Sequence, residues 1–205
     1  MSTDISAFWE VIDPEMPDCE VVLTAKGYKL DGAKGLKVVL RITDNAGNTP
    51  KSVDYLQLFD KIPLFVEFSD LQTQHIRCSA TLESLDLGGL SKSERKRVSS
   101  KISSDTDILN ELRGKIVDTD FIFREVSDKA LLDGLPELHG GHILVVWHPR
   151  SSLSKVDTAK FLDGLRGRLL AELSRYNLKF LNVPLHFLTV EAYACRYGCP
   201  TASDT

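Results

Sequence analysis

An α+β fold is predicted for this chain: an N-terminal antiparallel sheet or small barrel, a helical middle and a C-terminal β-α-β unit. Three observations carry that expectation. Residues 20–87 read as short β-type runs broken by turn formers, residues 91–135 as helical, and the last third alternates strand, long helix and strand. The division of labour puts a β-rich part at 1–90 and a helical and β-α-β part at 91–205, with one compact domain across both as the alternative.

In the first part, strands are expected at 21–26, 36–43, 52–59, 64–69 and 75–87. The run Lys37-Val38-Val39-Leu40-Arg41-Ile42 is rich in β-branched residues and leads into Asp44-Asn45-Ala46-Gly47-Asn48, a strong turn signal. Pro63 falls where a strand would begin, a position that tolerates a missing N–H.

In the middle, Ser91 followed by Glu94 is a capping-box pattern. Ser103, Ser104 and Asp105 mark a second helix start, with Ile108, Leu109, Leu112 and Ile116 on one face. Gly134-Leu135-Pro136 ends the segment.

The third part holds an apolar strand at 143–147 and a helix at 155–176 capped by Ser154. Leu162, Leu165, Leu169, Leu173 and Tyr176 form its apolar stripe, and Asn177 suits a left-handed C-cap. A long strand interrupted by Pro184 is expected at 178–193. A helix between two buried strands favours a right-handed parallel crossover.

Bulk properties narrow the function classes. The chain has 205 residues, 42% hydrophobic and 26% charged, with a net charge of −4. That length buries a core without disulfide or metal, and the acidic balance argues against a wholly basic nucleic-acid binder. Met1-Ser2-Thr3-Asp4-Ile5 has no basic, then apolar, leader pattern. The apolar run 143–147 is far short of the roughly 20 residues a membrane helix needs. The expected address is the cytoplasm, with no membrane association and with Cys19, Cys78, Cys195 and Cys199 reduced. The C-x3-C spacing of the last two fits neither a thioredoxin-type site nor a complete zinc site.

Charge is uneven along the chain. Residues 1–20 carry six acids and no Lys or Arg, interleaved with Phe8, Trp9, Val11 and Ile12, as in a short amphipathic docking element. Residues 91–104 carry five cations against Glu94. Lys26, Lys29, Lys34 and Lys37 surround glycines and Tyr28 in an expected hairpin loop. Charge that tracks phosphates beside a ring that stacks on bases is what single-strand binding requires. Arg95, Lys96 and Arg97 form a second basic group, consecutive on a helix, and Arg166, Arg168 and Arg175 a third.

His148-Pro149-Arg150-Ser151-Ser152 lies between the expected strand and the long helix. Ligands of α/β sheets collect beyond strand carboxyl ends, and Arg150, Ser151 and Ser152 supply donors for a phosphate or carboxylate at a helix start. The same serines also serve as plain helix caps. His139, His142 and His148 fall within ten residues, and His186 would approach them if the last strand pairs beside 143–147. Converging imidazoles, with Glu137, could bind a metal, although the spacing matches no zinc motif. No Walker loop, G-x-S-x-G elbow, H-E-x-x-H helix, dinucleotide fingerprint or paired-carboxylate motif stands out. No cofactor and no metal is assigned.

The leading expectation is therefore a non-catalytic accessory or binding protein. Its basic loops would contact single-stranded DNA or RNA, or a protein partner or second copy of the chain. The alternative is a metal- or histidine-dependent phosphate-handling hydrolase or nuclease using segment 139–150, with His142, His148 and His186 as catalytic candidates. A purely structural subunit of a larger complex is the third.

Overall fold

The computed structural model describes residues 2–85, 88–101, 104–149, 155–181 and 184–198. The class is α+β, with helices packed on a mixed sheet. In chain order the elements are β1 (Thr3–Asp4), a 3-10 turn (Ile5–Phe8), β2 (Trp9–Val11), β3 (Lys26–Lys29), α1 (Leu36–Val39), β4 (Tyr55–Phe59), β5 (Ile62–Phe68), α2 (Leu71–Ser84), α3 (Lys92–Lys101), α4 (Ser104–Asp128), β6 (Leu132–Asp133), β7 (His142–Trp147), α5 (Lys155–Leu173), β8 (Leu185–Thr189) and α6 (Val190–Tyr197).

The main sheet runs β2-β3-β4-β5-β7-β8. The first four strands are antiparallel neighbours, and β5, β7 and β8 are parallel. A small parallel pair, β1 with β6, ties the N-terminus to the end of α4. One sheet thus runs without interruption across residue 90, because β5 pairs directly with β7. It is open, not a barrel: β2 and β8 are its edges.

Side chains alternate across β7. Ile143, Val145 and Trp147 join the layer formed by α4 and α5, which contribute Ile108, Leu112, Ile116, Phe123, Leu165, Leu169 and Leu173. Leu144 and Val146 face the opposite layer with Val190, Tyr193 and Tyr197 of α6. A strand apolar on both faces belongs in the middle of a covered parallel sheet, and β7 sits there. Its crossover to β8 through α5 is the β-α-β unit that the sequence predicts. The α5 stripe is half-buried at Leu162 and buried at Leu165, Leu169 and Leu173, while Tyr176 lies beyond the helix and is exposed.

Local chemistry explains several elements. Ser91 and Glu94 form the reciprocal capping box: the Ser91 N–H donates to Glu94 Oε2 at 2.9 Å, and the Glu94 N–H donates to Ser91 Oγ at 3.3 Å. β4 and β5 are joined by Asp60 and Lys61 alone, both left-handed at φ 50° and 68°, as a tight primed hairpin turn requires. Pro63 lies at the second position of β5, opposite Leu58.

Four expectations are corrected. Segment 36–43 is not a strand: it forms the single turn α1, stopped by Arg41 at φ 53°. Its β-branched Val38 and Val39 are exposed, and Leu36 and Ile42 anchor it to the core instead. Segment 75–87 lies largely in α2, because Asp70 accepts the Thr73 N–H at its start and the Asp70 carbonyl accepts from Gln74. Of the 21–26 run only Lys26 enters the ladder, opposite Val11, since the N–H groups of Thr24 and Ala25 both donate to the Gly198 carbonyl. The strand expected to reach 193 stops at Thr189, whose hydroxyl accepts the Ala192 N–H and caps α6. Conversely, the acidic N-terminal segment contributes edge strand β2, with Trp9 opposite Tyr28. Among the described residues, no helix is long and apolar enough to cross a membrane.

Candidate functional site

The sheet positions an acidic pair that the sequence reading passed over. Asp54 directly precedes β4, and its backbone N–H bonds to Val66 of β5. Its carboxylate accepts the Phe68 N–H at 2.7 Å, which pins it beside the carboxyl end of β5. Glu67 is the penultimate residue of β5 and, by alternation, points towards α4. There Lys115 donates to Glu67 Oε1 at 2.6 Å and stands 3.9 Å from Asp54 Oδ1.

These three groups span from interior to surface. The Glu67 side chain is only 3% exposed, whereas that of Asp54 is 24% exposed. Asp54 lines a cleft of about 300 Å³ together with Asp13, Glu15, Lys29, Asp31 and Phe68. Glu67 Oε2 is buried and has no hydrogen-bond partner among the described residues. A buried carboxylate oxygen left unmatched is costly unless something neutralises it.

The electrostatics are lopsided. Burial raises the Asp54 pKa to about 6, against the opposing pull of Lys115 and the Phe68 N–H. Burial and the neighbouring Asp54 charge push Glu67 well above its ordinary value, again against Lys115. Burial works against the Lys115 ammonium, yet Glu67 and Asp54 outweigh it and hold its pKa above the ordinary lysine value. One ammonium therefore serves one buried and one half-buried carboxylate, and the deficit is of positive charge.

Further ion pairs frame the cleft. Lys37 reaches Asp31 at 2.7 Å, and the Gly32 N–H donates to the same carboxylate at 2.6 Å. Burial would raise the Asp31 pKa, but these contacts lower it, so Asp31 stays ionised. Gly35 lets the connection from β3 fold this tightly: a Cβ there would lie 2.3 Å from the Asp31 carbonyl oxygen. Lys29 bridges Glu10 at 3.0 Å and Glu15 at 3.1 Å across the cleft mouth.

The basic loop is accordingly divided. Lys29 and Lys37 are engaged by acids, Tyr28 packs on Trp9 with ring centroids 4.6 Å apart, and Lys26 and Lys34 are exposed. Arg95 turns back on its own loop, donating to the carbonyls of Leu90 and Gly88. Arg97 is exposed on α3, and the side chain of Lys96 lies outside the described residues. Arg150, Ser151 and Ser152 also lie outside them. Cys19 and Cys195 are free thiols.

Among the described side chains, only two histidines come together. His142 and His186, on neighbouring strands, have ring centroids 5.8 Å apart. His148 follows the far end of β7, about 20 Å along the strand from His142, with Nδ1 3.8 Å from Glu191 Oε1. His139 packs against Phe180. Among the described residues no three His, Cys, Asp or Glu side chains gather in a metal-binding group. A cation at Asp54 and Glu67 would therefore complete its shell with water and substrate oxygens, the habit of magnesium.

A sequence signal for the missed residues existed. Glu67 interrupts Leu64-Phe65-Val66-Glu67-Phe68, a run otherwise apolar on both faces, and Lys115 sits beside Leu112 and Ile116 on the buried stripe of α4. Charged residues in such positions are rarely there without partners. No family model, curated protein or solved structure was found to match the chain, so function must be read from this geometry.

Proposed function

We propose that the chain is a divalent-cation-dependent hydrolase of phosphodiester bonds, with Asp54 and Glu67 as the cation's carboxylate ligands. The observation that carries this reading is one ammonium shared by the cleft-lining Asp54 and the buried Glu67, the latter with an unpartnered oxygen. Perturbed titration in a cleft at strand carboxyl ends is a recognised mark of function. A structural ion triad would also perturb these groups, but it gains little from leaving an oxygen unmatched.

A hard divalent cation supplies the missing positive charge, polarises a phosphoryl oxygen and lowers the pKa of bound water. Lys115, held protonated by its neighbours, cannot serve as a general base. It acts as a fixed positive charge that stabilises negative charge developing on the phosphoryl oxygens. In the reaction, a water oxygen attacks phosphorus and the bond to one ester oxygen breaks. One water proton is lost to solvent, and the departing alkoxide takes up another proton. The products are a phosphomonoester and an alcohol.

Single-stranded DNA or RNA is the first substrate class to try, because Lys26 and Lys34 are exposed on the strand and connection that border the cleft. The test incubates EDTA-treated protein with end-labelled single-stranded DNA, RNA and bis(p-nitrophenyl) phosphate, with and without Mg2+ or Mn2+. Cation-dependent product from the wild type, reduced at least 100-fold in Asp54→Asn and Glu67→Gln, supports the reading. No product, or product unchanged in both variants, overturns it. Salt-sensitive binding without turnover would return the chain to an accessory, nucleic-acid-binding role.

A further inference from the structure

A second polar cluster lies on the sheet away from Asp54 and Glu67. His142 opens β7 and His186 lies on edge strand β8, two residues along in register, since His186 pairs with Leu144. By alternation both project to the α6 side of the sheet. Arg166 of α5 donates Nε–H to the Leu185 carbonyl at 3.1 Å, which fixes the guanidinium beside the strand edge. Arg166, Asp163, His186 and Leu188 line a hollow of about 420 Å³. Arg196 of α6 lies over the Tyr197 ring at 5.0 Å, which orients its guanidinium.

His142 from β7 stacks near His186, Arg166 and Asp163 from α5 share its hollow, and Arg196 from α6 acts on it through its charge. Two guanidiniums outnumber one carboxylate, so the cluster is cationic even with both imidazoles neutral. Burial lowers the His186 pKa, and the charges of His142, Arg166 and Arg196 lower it further. An anion placed among them would relieve that repulsion.

We propose that the edge of β8 carries a phosphate-binding site formed by His142, His186, Arg166 and Arg196. Phosphate fits better than a carboxylate, because two guanidinium forks and two imidazole N–H donors from four elements can engage more than two acceptor oxygens at once. The phosphate is either a terminal monoester or the diester of a nucleic-acid backbone. The site makes no use of the cation-binding pair, and its existence is independent of the proposed hydrolysis.

The test follows the imidazole C–H signals of the full chain by NMR in EDTA, so that cation-dependent chemistry is silent. Inorganic phosphate, a 5′-phosphorylated oligonucleotide and its 5′-hydroxyl counterpart are titrated separately at an ionic strength fixed with chloride. The expected result is saturable, concerted movement of the His142 and His186 signals, assigned with His→Gln variants. The Arg166→Ala/Arg196→Ala double variant, altered only at exposed side chains, should bind at least tenfold more weakly. Response to the phosphorylated oligonucleotide alone identifies a monoester site, and equal response to both oligonucleotides identifies a backbone site. Shifts that do not saturate, or binding unchanged in the double variant, would sink the proposal.

Discussion

Lys115 donates to Glu67 at 2.6 Å from a helix that lies 48 residues further along the chain. That single bond brings the only ammonium described at the acidic pair to the buried end of β5. Replacing Lys115 by Met should leave the buried Glu67 without its cation beside Asp54, and breaking a buried pair from one side costs about 3–5 kcal/mol. Glu67→Gln combined with Lys115→Met should recover at least half of the loss, because the most buried charge is gone. Thermal unfolding at pH 8 measures both variants. A Lys115→Met protein as stable as the wild type would mean that the three groups are not coupled.

Asp54→Asn tests the same cluster through pH. The native Asp54 pKa of about 6 lies above its unfolded value of 3.8. Between those values the folded state binds the extra proton, so stability contributed by this group falls as pH rises. The amide keeps an acceptor for the Phe68 N–H and removes the titration. The variant should therefore match the wild type near pH 4 and exceed it by about 2–3 kcal/mol above pH 7. Urea unfolding across that range gives the comparison. A difference independent of pH would show that Asp54 titrates normally.

The fold was more legible than the site, for physical reasons visible in particular residues. The Ser91–Glu94 box and the stripe Leu165, Leu169 and Leu173 are local patterns, and local patterns survive into the structure. Val38 and Val39 misled because exposed β-branched residues carry only weak preference, and the burial of Leu36 and Ile42 decided the conformation. The 75–87 segment misled because the Asp70 cap lies upstream of the apolar run it starts. Asp54, Glu67 and Lys115 come from two strand ends and a helix, and no spacing rule joins them. The approach of His142 to His186 was readable, because it followed once β8 was taken to pair beside β7.

Asp120 should be the most sensitive polar position away from the cleft. It is buried on α4, accepts the N–H groups of Lys179 and Phe180 at 2.8 Å each, and bonds Arg124 Nε at 2.6 Å. These contacts tie the segment after α5 to α4 before the chain enters β8. Asp120→Ala would orphan two backbone donors, at about 1–3 kcal/mol each. Thermal denaturation should show a loss of about 2–5 kcal/mol, and Asp120→Asn should recover part of it through its remaining acceptor. A loss below 1 kcal/mol would mean that water replaces the carboxylate.

Cation binding should appear as stabilisation even without a substrate. Mg2+ or Mn2+ at 100 times its dissociation constant adds about 2.7 kcal/mol, which raises Tm by roughly 5–10 °C in a chain of this size. The ligand must be ionised, so binding displaces the Asp54 proton. With that pKa at about 6, affinity should fall about tenfold between pH 8 and pH 5 from this group alone, and further because Glu67 is raised as well. The Lys115 charge opposes a cation at the same carboxylates, so Lys115→Met should bind the cation more tightly even though the apo variant is less stable. A structural triad predicts the reverse pattern: no shift in Tm with either cation, and no rescue of Lys115→Met. Differential scanning fluorimetry on the wild type, Lys115→Met and Glu67→Gln, each at pH 5 and pH 8, separates the two.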